Sequence, residues 1–347
     1  MFKRLIGNQR VKEILRRMTA SRRVPGAMLF AGADGIGKKQ FAIELAKALN
    51  CRAPVGDEAC DSCPSCVRAA HFLYPASDDT EANKKLIWSG HPDVGLVRPG
   101  GRFINVPQMR ELEREANFRP FEGAARLFII EDADKLNEAS SNALLKTLEE
   151  PPPTTHIILI TARPAALLPT IRSRCQTLNF APLAAAEIEA HLLSSDKKIN
   201  KADARLRSRA AEGSIGRALS IDLERYRQQR EAMLDILDAL VTSPDRVRLL
   251  RAAEELTDAK RKDEYEPRLD VLATLIHDSW AHALGAPETQ IVNSDMIERI
   301  HKIGAALKSG HAARWLAELE QHRRGLDVNI NRKVATDALL LGMASGA

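Results

Sequence analysis

Long apolar runs are missing from this chain: no stretch approaches the ~18 residues that a membrane-spanning helix needs. The opening Met1-Phe2-Lys3-Arg4-Leu5-Ile6-Gly7 lacks the extended apolar segment and small-residue cleavage site of an export signal. A cytoplasmic location, with reduced thiols, is therefore the expectation. Aromatic residues are scarce at 4%, which argues against base stacking as a main mode of nucleic-acid contact. Neither sign of charge dominates, since 51 basic and 46 acidic side chains leave a net +5. That excess permits phosphate contact without demanding it. Internal repeats and low-complexity tracts are absent too. What is present is 347 residues, 44% hydrophobic and 28% charged, enough for two or three domains with a sizeable core.

The first half alternates apolar runs with turn residues in an α/β rhythm. Met28-Leu29-Phe30 reads as a buried strand, and Phe41, Leu45 and Leu49 recur every four residues on one helix face. Val94–Val97, Leu127–Ile130, Ile157–Ile160 and Thr177–Phe180 read as further strands. Helices are expected over 106–118 and 137–148, the latter stopped by Pro151-Pro152-Pro153. Strands separated by helices predict a five-stranded parallel sheet covered on both faces. The polar stretch 75–90 reads as a surface loop. After Pro182 no strand-like run remains. Short helices over 184–193 and 202–211 predict a small helical lid. Longer ones over 222–242, 244–257, 266–284, 293–309, 312–324 and 329–343 predict a helical bundle. The expected division is thus 1–182, 183–221 and 222–347.

Between the first strand and its helix, Gly32-Ala33-Asp34-Gly35-Ile36-Gly37-Lys38 fits the phosphate-binding pattern G-x-x-x-x-G-K. Its glycines let backbone N–H groups converge on phosphate oxygens at a helix start, and Lys38 would reach the β- and γ-phosphates. The next position should carry a hydroxyl for Mg²⁺, but it is Lys39. An ammonium offers a metal no lone pair. Phosphate binding is compatible with that change; hydrolysis is expected to be crippled. At the end of the third strand come Glu131 and Asp132, the reverse of the usual Asp-then-Glu order. One arm is longer and the other shorter by a methylene, and displacements of ~1 Å can cost about two orders of magnitude in rate. The plainer reading, two acids at an exposed strand end, also predicts weak hydrolysis.

Cys51, Cys60, Cys63 and Cys66 follow the glycine-loop helix with spacing C-x₈-C-x₂-C-x₂-C. Four clustered thiols with no open position suit structural Zn²⁺, with a pair of disulfides as the competitor. The remaining Cys175 reads as a buried small hydrophobe.

A cysteine quartet directly after the first helix of a glycine-loop ATPase resembles the bacterial clamp-loader branch of the AAA+ family. So do the strings Asn142-Ala143-Leu144-Leu145-Lys146-Thr147-Leu148-Glu149-Glu150-Pro151-Pro152 and Leu167-Leu168-Pro169-Thr170-Ile171-Arg172-Ser173-Arg174-Cys175-Gln176, and the opening Ile6-Gly7-Asn8-Gln9. The likeness is strong over 1–182, fair to about 220 and weak beyond. It implies that Arg174 is an arginine finger acting in the ATP site of an adjacent subunit. It also implies a hetero-pentamer with gamma/tau and delta subunits, closed by a C-terminal collar. That ring would work on the beta sliding clamp and primer–template DNA as part of a DNA polymerase III holoenzyme. The strand end Ile160-Thr161-Ala162-Arg163 lacks the Asn that in the family senses γ-phosphate, leaving Thr161 as the candidate substitute. Gly216, in Gly213-Ser214-Ile215-Gly216-Arg217, stands where a motor subunit carries a sensing Arg, and Arg217 lies about 100° further round a helix. Lys39, the Glu131–Asp132 order and Gly216 together favour a supporting member without intrinsic ATPase activity, in which ATP and Mg²⁺ binding is weak or absent. The alternative is an ATP-hydrolysing gamma/tau-like motor. Arg110 and Arg114 are candidates for sequence-blind, salt-sensitive DNA phosphate contact, with a solvated face shared with Glu111 and Glu113 as the competing reading.

Overall fold

The computed structural model describes residues 2–56, 58–76, 79, 81–242, 245–326 and 331–345. They form two compact units, Met1–Ile199 with Ala211–Leu219, and Asn200–Ala210 with Ser220–Ala347.

In chain order, the first unit opens with α1 (Gln9–Ala20), β1 (Ala27–Ala31), α2 (Lys38–Asn50) and α3 (Pro64–Ala69). There follow β2 (Ile87–Trp88), β3 (Val94–Val97), α4 (Val106–Ala116), β4 (Arg126–Ile130) and α5 (Glu138–Glu149). β5 (Thr155–Thr161), α6 (Pro169–Arg172), β6 (Gln176–Asn179) and α7 (Ala185–Ser195) complete its main elements. Spatially the strands run β2-β3-β4-β5-β1-β6. Strands β3, β4, β5, β1 and β6 are parallel neighbours. Alternation along each strand builds two cores. Met28, Phe30, Leu127, Ile129, Ile158 and Ile160 face a cluster with Phe41 and Leu45 of α2. Ala27, Leu29, Phe128, Ile130, Ile157 and Leu159 face Met109, Leu112, Leu144 and Leu148 of α4 and α5. Each large apolar side chain buried this way contributes roughly 1.5–3 kcal/mol, which is why these strands tolerate no polar interruption.

One strand was not expected. Ile87–Trp88 pairs antiparallel with β3, inside the stretch read as a surface loop (of which 77, 78 and 80 lie outside the described residues). Its two residues are held by burial: Ile87 is inside, and the Trp88 ring packs edge-on against Phe128 at 6.0 Å. The Arg126 guanidinium lies 5.2 Å from the same Trp88 ring. Helix α4 ends at Ala116, two residues before the expected Phe118.

In the second unit, α8 (Lys201–Ala210) accompanies six further helices. A short α9 (Ile215–Ser220) lies between them in sequence; then come α10 (Leu223–Thr242), α11 (Arg246–Leu256), α12 (Tyr265–Ala283), α13 (Ile297–Ala306), α14 (Ser309–Leu326) and α15 (Arg332–Ser345). These match the spans read from the sequence to within a few residues; positions 244, 329 and 330 lie outside the described residues. The bundle core gathers Leu234, Leu237, Leu269, Leu272, Trp315 and Leu340. Polar bridges also cross it: the Tyr265 hydroxyl meets His322 Nε2 at 2.6 Å and Thr336 Oγ1 at 2.5 Å. The Asp278 carboxylate accepts from the backbone N–H groups of Val292 and Asn293.

Candidate functional site

The carboxyl ends of β1, β4 and β5 bring the glycine loop, Glu131 and Thr161 together, because parallel register sets Ala31 beside Thr161 and Ile130 beside Leu159. Open α/β sheets bind ligands at this end. The loop, however, is closed on itself. Lys38 Nζ donates to the carbonyls of Gly32 at 2.5 Å and Ala33 at 2.6 Å. Burial lowers the Lys38 pKa, against the opposing pull of Asp34, Asp132 and Asp134. Gly35 has φ +71°, and its carbonyl accepts from Gly216 N–H at 2.9 Å. A Cβ on Gly216 would approach Gly35 Cα to 3.1 Å, and one on Gly35 would meet Ser214 Oγ at 2.2 Å. Glycine at 216 therefore does more than lack a sensing side chain: it lets the backbone seat directly on the loop. The sequence showed the missing arginine but not this contact.

Lys39 occupies the position of the metal-binding hydroxyl, and its Nζ lies 3.0 Å from Glu131 Oε1. It also donates to the Tyr74 hydroxyl at 2.6 Å, and sits over the Tyr74 ring at 5.2 Å and the Phe72 ring at 5.7 Å. Burial disfavours the ammonium, yet Glu131 and the Tyr74 hydroxyl outweigh it and raise the Lys39 pKa. A positive charge built into the chain thus meets the carboxylate that would face a cation. This donor set does not suit Mg²⁺, because the ammonium has no lone pair and already neutralises the acid. Phe72 and Tyr74 went unnoticed in the sequence, where they border a polar stretch and carry no motif.

The remaining acids are also engaged. Asp132, with φ +47°, pairs with Lys135 at 2.9 Å. Thr161 is buried; its hydroxyl donates to Asp134 Oδ1 at 2.7 Å and accepts from Arg163 N–H at 2.9 Å. Arg163 holds the other Asp134 oxygen through Nε at 3.0 Å and Nη2 at 2.7 Å. Burial pushes the Asp134 pKa up, but these bonds from Thr161 and Arg163 bring it below its ordinary value. Asp134 and Arg163 carry no role that the sequence alone assigns.

The ligand atoms of Cys51, Cys60, Cys63 and Cys66 lie within 4.8 Å of one another. Cys60 N–H points at Cys51 Sγ (3.3 Å) and Cys63 N–H at Cys60 Sγ (3.2 Å), the pattern of a tight thiolate knuckle. Backbone N–H bonds from Ser62 and Cys63 lower Cys60 to about 6, whereas burial raises Cys66. Four sulfurs so placed fit a tetrahedral metal ion. Cys175 is buried at a distance in sequence, and burial pushes its thiol up to about 12.

Arg174 follows α6 and is about one-third exposed. Its Nε donates to Glu149 Oε1 at 2.6 Å, its Nη2 contacts the same oxygen, and its Nη1 donates to the Thr170 carbonyl at 2.9 Å. Arg110 and Arg114 are exposed on α4, and Arg114 Nη2 lies 3.4 Å from Glu115 Oε1.

A mainly parallel sheet with a glycine loop at its carboxyl end defines a P-loop-type α/β domain, here carrying a cysteine cluster and followed by a helical region. Family models say which such protein it resembles. The model described as "DNA polymerase III, delta subunit" matches residues 7–184, and "DNA polymerase III, delta subunit, C terminal" matches 225–344. The DNA polymerase III subunit delta' of Bacillus subtilis is 30% identical over 97% of this chain and 96% of its own length. That of Escherichia coli is 30% identical over 91% of this chain and 87% of its own. The DNA polymerase III subunit tau of Salmonella typhimurium is 27% identical over 94% of this chain but only 47% of its own length. The chain belongs to the delta-prime family of DNA polymerase III clamp-loader subunits.

Proposed function

We propose that the chain is a stator-like member of its clamp loader: it supports ATP-dependent loading of the beta sliding clamp onto primed DNA by offering Arg174 to the ATP site of a gamma/tau-type neighbour. The observation that carries this reading is the Lys39–Glu131 pair at 3.0 Å, an internal cation set against the metal-facing acid. With Lys38 bound to its own loop and Gly216 seated on Gly35, the pocket's polar groups are spent within the chain. ATP and Mg²⁺ binding there is accordingly weak or absent. Arginine fingers supplied in trans stabilise charge on the transferring phosphoryl group and are worth roughly 10³–10⁵ in rate in comparable NTPases. Arg174, charged and partly exposed, has the chemistry for that role. The four thiols hold a structural Zn²⁺, which would tie the segment 51–66 to the end of α2. Residues 1–182 serve as the nucleotide-site-like domain, 183–221 as a lid and 222–347 as the collar. The partners are gamma/tau and delta subunits, the beta clamp and, through Arg110 and Arg114, DNA phosphates, all in the cytoplasm.

The test is ATP turnover by the isolated chain. The unaltered protein is expected to show none above background, with Lys39→Thr gaining measurable Mg²⁺-dependent nucleotide binding. Substantial turnover by the unaltered chain alone would favour the gamma/tau-like motor instead.

A further inference from the structure

We propose that Glu149 is the positioning residue for Arg174: its carboxylate fixes the plane of the guanidinium so that one donor edge is left ready for a phosphate. The inference rests on the arginine-finger reading above and goes further, by naming what aims the finger. A guanidinium carries five N–H donors in a rigid planar fork. One edge is formed by Nε–H and the near N–H of Nη2; both nitrogens meet Glu149 Oε1. The Nη1 nitrogen, on the Cδ side, donates to the Thr170 carbonyl at 2.9 Å. Among the described residues the guanidinium meets no further partner, so N–H donors remain on both Nη nitrogens for a phosphate. Two parallel N–H groups on a planar cation are the geometry that grips two oxygens of one phosphate.

Both holding groups sit on fixed backbone. Glu149 is the last residue of α5, ahead of Pro151 and Pro152, which end the helix. Thr170 lies on α6, which is anchored by the buried Ile171 beside Leu167. A long side chain that would otherwise sample many rotamers is held in one, so a neighbouring nucleotide need not order it. Were Glu149 only a surface ion-pair partner, its removal would leave catalysis untouched, since exposed pairs contribute little to stability.

The experiment measures the ATP turnover that the full chain adds to reconstituted motor subunits with clamp and primed DNA. The variants are Glu149→Ala, Glu149→Gln, Arg174→Ala and the Glu149→Ala/Arg174→Ala pair. Glu149→Ala is expected to lower the added kcat by about 5- to 20-fold with KM for ATP within about twofold, the signature of an interaction needed in the transition state. Glu149→Gln, whose amide oxygen still accepts from Nε, should retain more activity, and the double variant should be no slower than Arg174→Ala alone. Co-elution with the motor subunits and the melting temperature should stay unchanged, as Glu149 is about half exposed. Wild-type kcat in both Glu149 variants, alongside a crippled Arg174→Ala, overturns the positioning role and leaves the finger standing. Faster turnover in Glu149→Ala overturns it as well, since the carboxylate would then be a restraint. An Arg174→Ala assembly as active as wild type overturns the finger and this inference together.

Discussion

Removing the Lys39 ammonium should destabilise the sheet unit by about 1–2 kcal/mol. The change is Lys39→Met, which keeps an unbranched apolar stem beneath Phe72 and Tyr74 and deletes the charge. At 3.0 Å and an effective dielectric of about 20, the gross attraction to Glu131 is roughly 5.5 kcal/mol. Most of that is cancelled by desolvation, and the two side chains are still 27% and 25% exposed. Exposed pairs are worth about 0–1 kcal/mol, whereas breaking a fully buried pair costs about 3–5 kcal/mol. A partly buried pair with an added hydrogen bond to Tyr74 falls between, hence the estimate. For a unit of this size 1 kcal/mol corresponds to about 2–4 °C in Tm, so a shift of roughly 2–8 °C is expected. Glu131→Gln and the double variant complete a cycle whose coupling term isolates the pair. Thermal and urea unfolding, monitored for the sheet unit, supply the numbers. A Lys39→Met protein that melts with wild type, or single changes that simply add, would refute the claim that this ammonium neutralises the acid.

Gly35→Ala is expected to cost about 1–3 kcal/mol, measured by urea unfolding, because the new Cβ combines a left-handed φ with a 2.2 Å approach to Ser214 Oγ. Elemental analysis should find one zinc per chain, and a strong chelator should lower the melting temperature and raise the count of reactive thiols; thiols that react only after reduction would point to disulfides. Burial lowers the pKa of both His156 and His322, the latter helped by Arg323. The unfolded chain therefore binds protons more readily than the folded one. This contribution to stability is fully present above the ordinary histidine value of about 6.5 and is lost as pH falls through the depressed folded values. Melting temperature should accordingly fall as pH drops from 7.5 to 5.5, and His156→Asn or His322→Gln should flatten that slope.

The five parallel strands, the glycine loop and the C-terminal helices were legible because each rests on a periodic apolar pattern or a motif of short spacing. Residues 127–130 and 157–160 announce buried strands by composition alone, and Cys60, Cys63 and Cys66 announce a knuckle by spacing. Strand β2 was not legible, since two residues hold no period and Trp88 is fixed by Phe128 and Arg126 from β4. At the site the sequence identified which residues depart from an active pattern, but not what they do instead. That Lys39 reaches Glu131, that Tyr74 caps it, and that Glu149 holds Arg174 depend on residues tens of positions apart whose pairing no local pattern encodes.

In the role proposed here this chain acts at a neighbour's nucleotide and not at its own. The most direct test is steady-state ATP hydrolysis by motor subunits assembled with delta and either the wild-type chain or Arg174→Ala, beside a parallel assembly carrying Lys38→Ala. Arg174→Ala is expected to abolish the stimulation this chain provides, while Lys38→Ala, acting only on the closed loop, should leave turnover near wild type. Turnover lost in Lys38→Ala and preserved in Arg174→Ala would contradict that role.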